Sequence, residues 1–350
     1  MRDAAIIGYA QGPQYRYAGA ANESELIMPV VRRVMEQVGV GQQDIDFTCS
    51  GSCDYLQGAA FAFVEGLSAL ATVPPIKESH VEMDAAWAVY EALIKIWTGE
   101  ADLCLVYGFG KSSPGELRTV MALQLDPYYH VPLWPDAISL AALQARAMLD
   151  SGAISERDMA EVVARSRANA RANPNAQLKG NPGIEELLAE PGFVSPLRRH
   201  DCPPITDGAS AMIVASADVA TRYCKRPAWV RGIDHRMETA ILGARDLTRS
   251  PSTRIAGEKA GVARGKVDLA ELHAPFSHQE IILRRELGLA DAVPVNLSGG
   301  ALAGNTMMAA GLDRIGFVAE RIINGEADRG VAHATSGPCL QQNLVAVLEA

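Results

Sequence analysis

Asp84 is the side chain whose position most directly suggests chemistry. It lies in the segment 81–88, where a strand pattern ends and a long helical pattern, 85–98, begins. A side chain at such a junction lies at a helix N-terminus, where free backbone N–H groups and the helix dipole favour negative charge. A carboxylate there can act as a general base, or it can be an N-cap that only holds the start of the helix. The sequence leaves both roles open.

Composition and charge narrow the class of protein. The chain has 350 residues, of which 48% are apolar and 21% are charged, with a net charge of −9. Because no basic run accompanies this charge, we expect no nucleic-acid-binding surface. No apolar stretch reaches the ~18 residues of a membrane span, and the one at the N-terminus is too short for a signal peptide. The six cysteines include one close pair, Cys49 and Cys53, and no second pair that would complete a zinc site. We therefore expect a cytoplasmic protein with reduced thiols and no bound metal.

The chain repeats itself weakly, which indicates a duplicated fold. The segment 96–106 resembles 322–332, and both contain the tetrapeptide Gly-Glu-Ala-Asp. Each segment follows a long helical pattern and precedes an apolar, strand-like run. Upstream, 44–47 resembles 266–269 at about the same offset. Because strand and helix patterns alternate within each half, we predict two duplicated α/β halves with mainly parallel sheets covered by helices.

A different region separates the halves. An aromatic, proline-rich loop at 126–135 is followed by two helical patterns, 137–151 and 156–173. After them, 207–216 is typical of a turn and a buried strand that closes the first half. We therefore predict a first half formed by 1–117 and 200–225, a loop domain at 118–199 and a second half at 226–350.

These features resemble the thiolase superfamily, and within it the sterol-carrier-protein type, also called lipid-transfer proteins. The resemblance covers nearly the whole chain. The motifs that carry it are Asn-Pro-Asn-Ala-Gln at 173–177, Pro-Leu-Arg at 196–198, Asp-Gly-Ala at 207–209, His-Ala-Pro-Phe-Ser at 273–277 and Asn-Leu-Ser-Gly-Gly at 296–300. The resemblance implies an α/β thiolase fold, in which two duplicated βαβαβαββ halves form a five-layered αβαβα core with an inserted loop domain. It also implies a homodimer that pairs through edge strands of the first halves.

The chain departs from this family at the residues that carry its usual reaction. Asp84 stands in place of the nucleophilic cysteine, and Asn305, after Gly304, stands in place of a histidine. Gly337 falls near the position of the second, acid/base cysteine, and Cys339 lies two residues further on. Neither Asp nor Asn can replace a low-pKa thiolate as an acyl carrier. We therefore expect no authentic thiolase activity.

His273 is retained, and its position in the family helps to hold the thioester oxygen. The resemblance suggests that His273 and Asn305 stabilise an enolate, helped by backbone N–H groups of the 337–339 segment. The structural alternatives are a buried core histidine and a turn asparagine. An enolate site without a nucleophile suits retro-aldol cleavage of a β-hydroxyacyl-CoA, which needs a base for the hydroxyl proton. Our candidate residues are Asp84, His273, Asn305 and Tyr55 for catalysis and Gly304, Gly337, Cys339 and Tyr128 for substrate binding.

Some cysteine-less thiolase-like proteins are aldolases of steroid side-chain degradation. Proteins of this type look as if they depend on a small second protein, which has an OB-fold and a zinc ribbon and belongs to a domain-of-unknown-function family. The resemblance therefore implies a retro-aldolase that acts on a coenzyme A thioester, without a cofactor, and with a separate partner of this kind. Two alternative functions are those of a non-catalytic acyl-CoA-binding subunit and of an acyltransferase of the same fold that uses another nucleophile.

Overall fold

The computed structural model describes residues 2–58, 60–70 and 75–350. The strands in these residues are β1 (Ala4–Gln11), β2 (Phe47–Gly51), β3 (Lys77–Val81), β4 (Leu103–Gly110), β5 (Gly192–Val194), β6 (Leu197–Arg198), β7 (Ile205–Thr206), β8 (Gly208–Ser216), β9 (Ala228–Met237), β10 (Leu269–Leu272), β11 (Asn305–Thr306), β12 (Arg329–Ser336) and β13 (Gln342–Glu349). The α-helices are α1 (Glu23–Val38), α2 (Asp54–Gln57), α3 (Phe63–Leu70), α4 (Ala85–Trp97), α5 (Leu117–Leu123), α6 (Ala137–Asp150), α7 (Glu156–Asn169), α8 (Ile184–Ala189), α9 (Ala217–Tyr223), α10 (Pro251–Ala260), α11 (Ser277–Glu286) and α12 (Ala310–Ile323).

In the described residues, nine of these strands form one sheet in the order β10-β12-β13-β9-β1-β8-β4-β2-β3. The first half contributes β3-β2-β4-β8-β1. In the second half, β10, β12, β13 and β9 follow one another as β2, β4, β8 and β1 do in the first. The segment at Val295, which forms a parallel bridge with Ala270 of β10, takes the place of β3. Strand β2 pairs in parallel with β3 and β4, as β10 does with β12, whereas β1 and β9 join the halves in antiparallel fashion. The repeated strand order confirms the predicted duplication. The prediction of mainly parallel sheets is wrong, because three strand pairs of this sheet are parallel and five are antiparallel in the described residues.

The long helices are arranged in layers around this sheet. Helices α4 and α12 lie between the two halves, and their apolar side chains pack against inner-face residues such as Phe47, Val106, Ala332 and Leu344. Helix α1 covers the outer face of the first half, and α10 and α11 cover that of the second. Eight of the 13 residues of α4 and 11 of the 14 residues of α12 are buried, so both helices lie at the centre of the molecule. The chain therefore has the expected αβαβα layering.

The segment 118–199 packs over the second half. In α7, the Ser166 hydroxyl donates to the Gly299 carbonyl oxygen, and the Asn169 side chain donates to the Asn296 carbonyl oxygen at 3.0 Å. Helix α7 ends at Asn169, earlier than the predicted residue 173, because a 3₁₀ turn follows it. These bonds hold the inserted segment against the loop between α11 and β11. Among the described residues, no helix is both long and apolar enough to cross a membrane.

Candidate active site

The candidate residues of the second half meet at the carboxyl ends of its parallel strands. His273 directly follows β10, and Thr335 lies near the end of β12. Asn305 is in the short strand β11, which pairs in parallel with β7 so that Asn305 lies opposite Ile205. The carboxyl ends of neighbouring parallel strands lie at one edge of a sheet, where α/β proteins commonly bind ligands. Residues that are far apart in the sequence are thereby brought together.

The N-terminus of α4 reaches this edge by close packing on glycines. The Ala85 N–H donates to the Met308 carbonyl oxygen at 2.9 Å. A Cβ atom on Gly51, at the end of β2, would lie 2.4 Å from the Ala85 nitrogen, and one on Gly108 would lie 2.6 Å from the Met308 oxygen. Glycine is therefore required at both positions, because any side chain would push the helix start away from the strands.

Asp84 is the N-cap of α4, as the junction pattern predicts, and it also caps α12. Its Oδ1 atom accepts the N–H groups of Ala86 at 2.9 Å and Leu312 at 3.1 Å, and Oδ2 accepts that of Gly311 at 2.8 Å. Burial raises the pKa of the Asp84 carboxyl, and these three backbone donors oppose the rise. Each of these N–H groups stabilises the negative charge of the ionised form. The contacts thus favour an ionised carboxylate that holds two helix N-termini together.

His273 and Asn305 form a buried, neutral pair. The His273 Nε2 atom lies 3.1 Å from the Asn305 Oδ1 atom, and the Thr335 N–H donates to the His273 Nδ1 atom at 3.4 Å. Because Nδ1 accepts, the proton belongs on Nε2, which then donates to the Asn305 side chain. Burial lowers the pKa of His273 to about 4. The imidazole is therefore uncharged at neutral pH and fixes the orientation of the Asn305 amide.

This orientation leaves the Asn305 Nδ2 group as a hydrogen-bond donor without a protein acceptor among the described residues. Asn305 is 5% exposed, so this donor is held in a largely water-free environment. The backbone before it is tightly packed, since a Cβ atom on Gly304 would lie 1.6 Å from the Gln14 Oε1 atom. Gln14 is itself buried and contacts Asp313 in α12. A preorganised N–H donor of this kind can stabilise a developing oxyanion.

The turn after β12 holds the other two candidate positions of the second half. Gly337 and Cys339 both have positive φ angles, of 75° and 53°. The Cys339 thiol donates to the Leu140 carbonyl oxygen at 3.4 Å and packs in an apolar cluster with Leu140 and Leu242. Burial raises the pKa of this thiol to about 12. Cys339 therefore has the environment of a structural thiol, since a reactive thiolate needs a lowered pKa.

Tyr55 and Tyr128 form no side-chain hydrogen bond with these residues in the described part of the chain. Their side chains are 66% and 82% exposed, in α2 and in the loop before α6, respectively. In the described residues, a cavity of about 160 Å³ opens between α1, α12 and the segment 172–175, and its lining includes neither His273 nor Asn305. The structure thus brings His273 and Asn305 into contact, and the helix start at Asp84 packs against the loop that follows Asn305. The roles of the 337–339 turn and of the two tyrosines stay predictions.

Sequence reasoning missed three residues that support the site. Thr335 fixes the His273 tautomer, Gln14 packs against Gly304, and Arg245 bonds the backbone of the 338–340 turn. None of them has a motif or a spacing that connects it to the site, so only the fold reveals them. Among the described residues, no group of three or more His, Cys, Asp and Glu side chains is placed to bind a metal ion.

Comparisons with known proteins agree with this architecture. No family model matches the chain. It is 27% identical over 360 residues to an acetyl-CoA acetyltransferase of Methanothermobacter thermautotrophicus, covering 94% of this chain and 93% of the relative. It is 28% identical over 338 residues to the 17-hydroxy-3-oxo-4-pregnene-20-carboxyl-CoA lyase of Mycobacterium tuberculosis, covering 85% and 86% of the two chains.

Two solved structures match over almost the full length. Human mitochondrial 3-ketoacyl-CoA thiolase superposes with a TM-score of 0.80 at 16% identity, covering 100% of this chain and 99% of that one. The Ltp2-ChsH2(DUF35) aldolase superposes with a TM-score of 0.79 at 18% identity, covering 99% and 98%. The fold is thus the thiolase fold. Together with the relatives, it supports the resemblance of the chain to the thiolase superfamily.

Proposed function

We propose that the chain is a thiolase-fold lyase that cleaves a β-hydroxyacyl-CoA by a retro-aldol reaction. The products would be a shorter acyl-CoA and a ketone or an aldehyde. The observation that carries this proposal is the buried His273–Asn305 pair. It is neutral and it keeps one side-chain N–H donor free, at a site where Asp84 occupies the place of the family's nucleophile.

The bond-breaking step assigns a task to Asn305. A base takes the proton of the β-hydroxyl group, the C–O bond becomes a carbonyl, and the Cα–Cβ electron pair moves into the thioester. The thioester oxygen becomes an enolate oxygen, which accepts the Asn305 Nδ2–H, and a proton then adds at Cα. A single preorganised donor of this kind contributes about 3 kcal/mol to transition-state stabilisation. His273 keeps this donor in place because its Nε2–H group donates a hydrogen bond to the Asn305 amide oxygen.

Asp84 has one place from which it could act as the base. A carboxylate offers about four acceptor positions, and three of them accept the backbone N–H groups of α4 and α12. The fourth, on Oδ2, accepts no hydrogen bond from the described residues, and it would have to meet the substrate hydroxyl group. Asp84 therefore has two candidate roles, as a helix N-cap and as the general base. The variant Asp84→Asn distinguishes between them.

The natural substrate and partner are inferred from the relatives. In the name of the mycobacterial lyase, a carboxyl group on carbon 20 places the hydroxyl group on carbon 17 in the β position. We infer a bulky, steroid-like β-hydroxyacyl-CoA for this chain also. The similar aldolase, Ltp2-ChsH2(DUF35), includes a DUF35 protein by name, which supports a heteromeric partner of that type. A homodimeric core, the absence of a cofactor and a cytoplasmic location complete the proposal.

Acyl transfer is the second candidate, because the methanogen relative is named an acetyltransferase. Such a reaction needs a nucleophile that can carry the acyl group. The thiol next to the candidate site, Cys339, faces Leu140 and has a pKa of about 12. The buried donor pair therefore favours the lyase over the transferase.

The test is turnover by the purified chain, alone and with a DUF35-type partner. A 17-hydroxy steroid β-hydroxyacyl-CoA should yield a ketone and a shorter acyl-CoA, measured by mass spectrometry. Asn305→Ala should lower kcat by about 10²–10³-fold, and His273→Ala by about tenfold. Thr306→Val is the matched control, because it removes the neighbouring buried Thr306–Thr206 hydroxyl contact without touching the pair. Tight acyl-CoA binding with no products would favour the non-catalytic subunit instead.

A further inference from the structure

Arg245 bonds three successive backbone carbonyl groups of one turn. Its guanidinium donates to the oxygens of Pro338 at 3.2 Å, Cys339 at 2.6 Å and Leu340 at 3.4 Å. Arg245 is half-buried, and burial lowers the pKa of its guanidinium. In the described part of the chain, no carboxylate forms an ion pair with it. Its charge therefore serves the turn alone.

The turn needs such support because its backbone is strained. Cys339 and Leu340 have φ angles of 53° and 58°, and Gly337 has one of 75°. A non-glycine residue in this region costs about 1–3 kcal/mol and persists where the surroundings impose it. Arg245 imposes it from one side, and the Asn343 side chain, which donates to the Leu340 oxygen at 2.8 Å, adds a second constraint. Strain held in this way is a frequent property of functional sites.

Fixing the carbonyls also fixes the N–H groups. In a planar trans peptide, the C=O and the next N–H point in opposite directions. The carbonyls of Pro338 and Cys339 point to the guanidinium, so the N–H groups of Cys339 and Leu340 point away from it. The Leu340 N–H faces the Gly337 carbonyl oxygen across the 338–339 turn, whereas the Cys339 N–H donates to no protein acceptor within the residues that the structure describes. The same strand end carries Thr335, whose N–H contacts His273.

We propose that Arg245 is a positioning residue for a second donor of the lyase: it holds the 337–340 turn so that the Cys339 N–H faces the enolate oxygen beside the His273–Asn305 pair. This inference rests on the proposed function. Lysine cannot replace Arg245 fully, because a planar guanidinium bridges several acceptors at once whereas an ammonium group is a point charge.

The experiment compares two ligands on the full chain with its partner. One is a nitronate analogue of the acyl-CoA, which carries an enolate-like negative charge, and the other is the matching uncharged thioether of CoA. For Arg245→Met, the Kd of the nitronate should rise about tenfold or more while that of the thioether stays within about twofold. Arg245→Lys should give an intermediate rise, and it carries the test if Arg245→Met does not fold. Arg254→Met is the control, because Arg254 pairs with Glu258 on the exposed side of α10.

Three results would overturn the inference. Equal weakening of both ligands would give Arg245 a general structural role, and no change in either would give it none. In both cases wild-type protein would still prefer the nitronate, and the proposed lyase would stand. If wild-type protein does not bind the nitronate more tightly than the thioether, the enolate chemistry itself is refuted, and the role of Arg245 falls with it.

Discussion

Asp84→Ala should destabilise the protein much more than the loss of an ordinary helix cap. Replacing an N-cap by Ala costs about 1 kcal/mol. Asp84 also accepts the N–H groups of Gly311 and Leu312 at the start of α12, and each buried donor left without a partner adds about 1–3 kcal/mol. We therefore expect a loss of about 4 kcal/mol in the free energy of unfolding. Asn22→Ala, which removes the exposed cap of α1, should cost about 1 kcal/mol.

Asp84→Asn separates stability from catalysis. The amide oxygen can replace Oδ1, but the amide nitrogen would face the Gly311 N–H, so one of the three bonds is lost. We expect a cost of about 2 kcal/mol, measured as a shift of the urea midpoint at unchanged slope. At a temperature where the variant is folded, kcat should stay within about threefold of wild type if Asp84 is only a cap.

Two results would refute this reasoning. Unfolding free energies of Asp84→Ala and Asn22→Ala that agree within about 0.5 kcal/mol would show that α12 does not depend on the carboxylate. A folded Asp84→Asn variant whose kcat falls by about 10²-fold or more would identify Asp84 as the general base. The wild-type urea midpoint, measured in parallel, provides the reference for both variants.

Three further predictions concern buried groups. The folded protein should lose stability as the pH falls from about 6.5 towards 4, because histidines of the unfolded chain bind protons that the same residues do not bind when they are buried. At pH 5, each buried histidine should lower the free energy of unfolding, measured in urea, by about 2 kcal/mol. The histidines are His273, with a pKa lowered to about 4, and His278 and His333, with pKa values lowered to about 3. Cys339, with its pKa of about 12, should react with iodoacetamide at pH 7.5 at a negligible rate until urea unfolds the chain, as judged by mass spectrometry. Gly304→Ala should lower stability by about 1–3 kcal/mol, since its methyl group would overlap the Gln14 side chain.

The duplicated fold could be predicted because the repeated residues occupy equivalent positions and form equivalent contacts in each half. Gly99 and Gly325, with φ angles of 79° and 75°, follow the C-terminal ends of α4 and α12, where a left-handed residue is favoured. Asp46 accepts the N–H of Leu103 at the start of β4, and its counterpart in the second half, Asp268, accepts that of Arg329 at the start of β12. The repeated glycines thus mark the ends of the two helices, and the repeated aspartates mark the starts of the two strands. A weak repeat was therefore sufficient to predict the duplication, whereas the layered architecture was predicted from the family resemblance.

The candidate site was less accessible from the sequence. That Asp84 begins α4 is a local property, and the prediction is confirmed. Its second cap depends on α12, 227 residues later in the sequence, and no local pattern encodes that contact. The tyrosines were selected by residue type, and Tyr55 and Tyr128 are largely exposed, because the sequence does not indicate which hydroxyl groups are buried. Arg245 gives no signal, since its partners are main-chain carbonyls of the 338–340 turn.

The charge of Asp84 also fits the neutrality of the site. Each helix N-terminus is equivalent to roughly half a positive charge, so the ends of α4 and α12 together match one carboxylate. With Asp84 ionised, the two helix ends and the carboxylate cancel, and an enolate formed nearby meets the neutral donors of His273 and Asn305 without repulsion. Asp84→Asn would leave the helix ends uncompensated, which favours an anion. A large loss of kcat in a variant that keeps the helix starts in place would therefore indicate a lost base rather than weaker enolate binding.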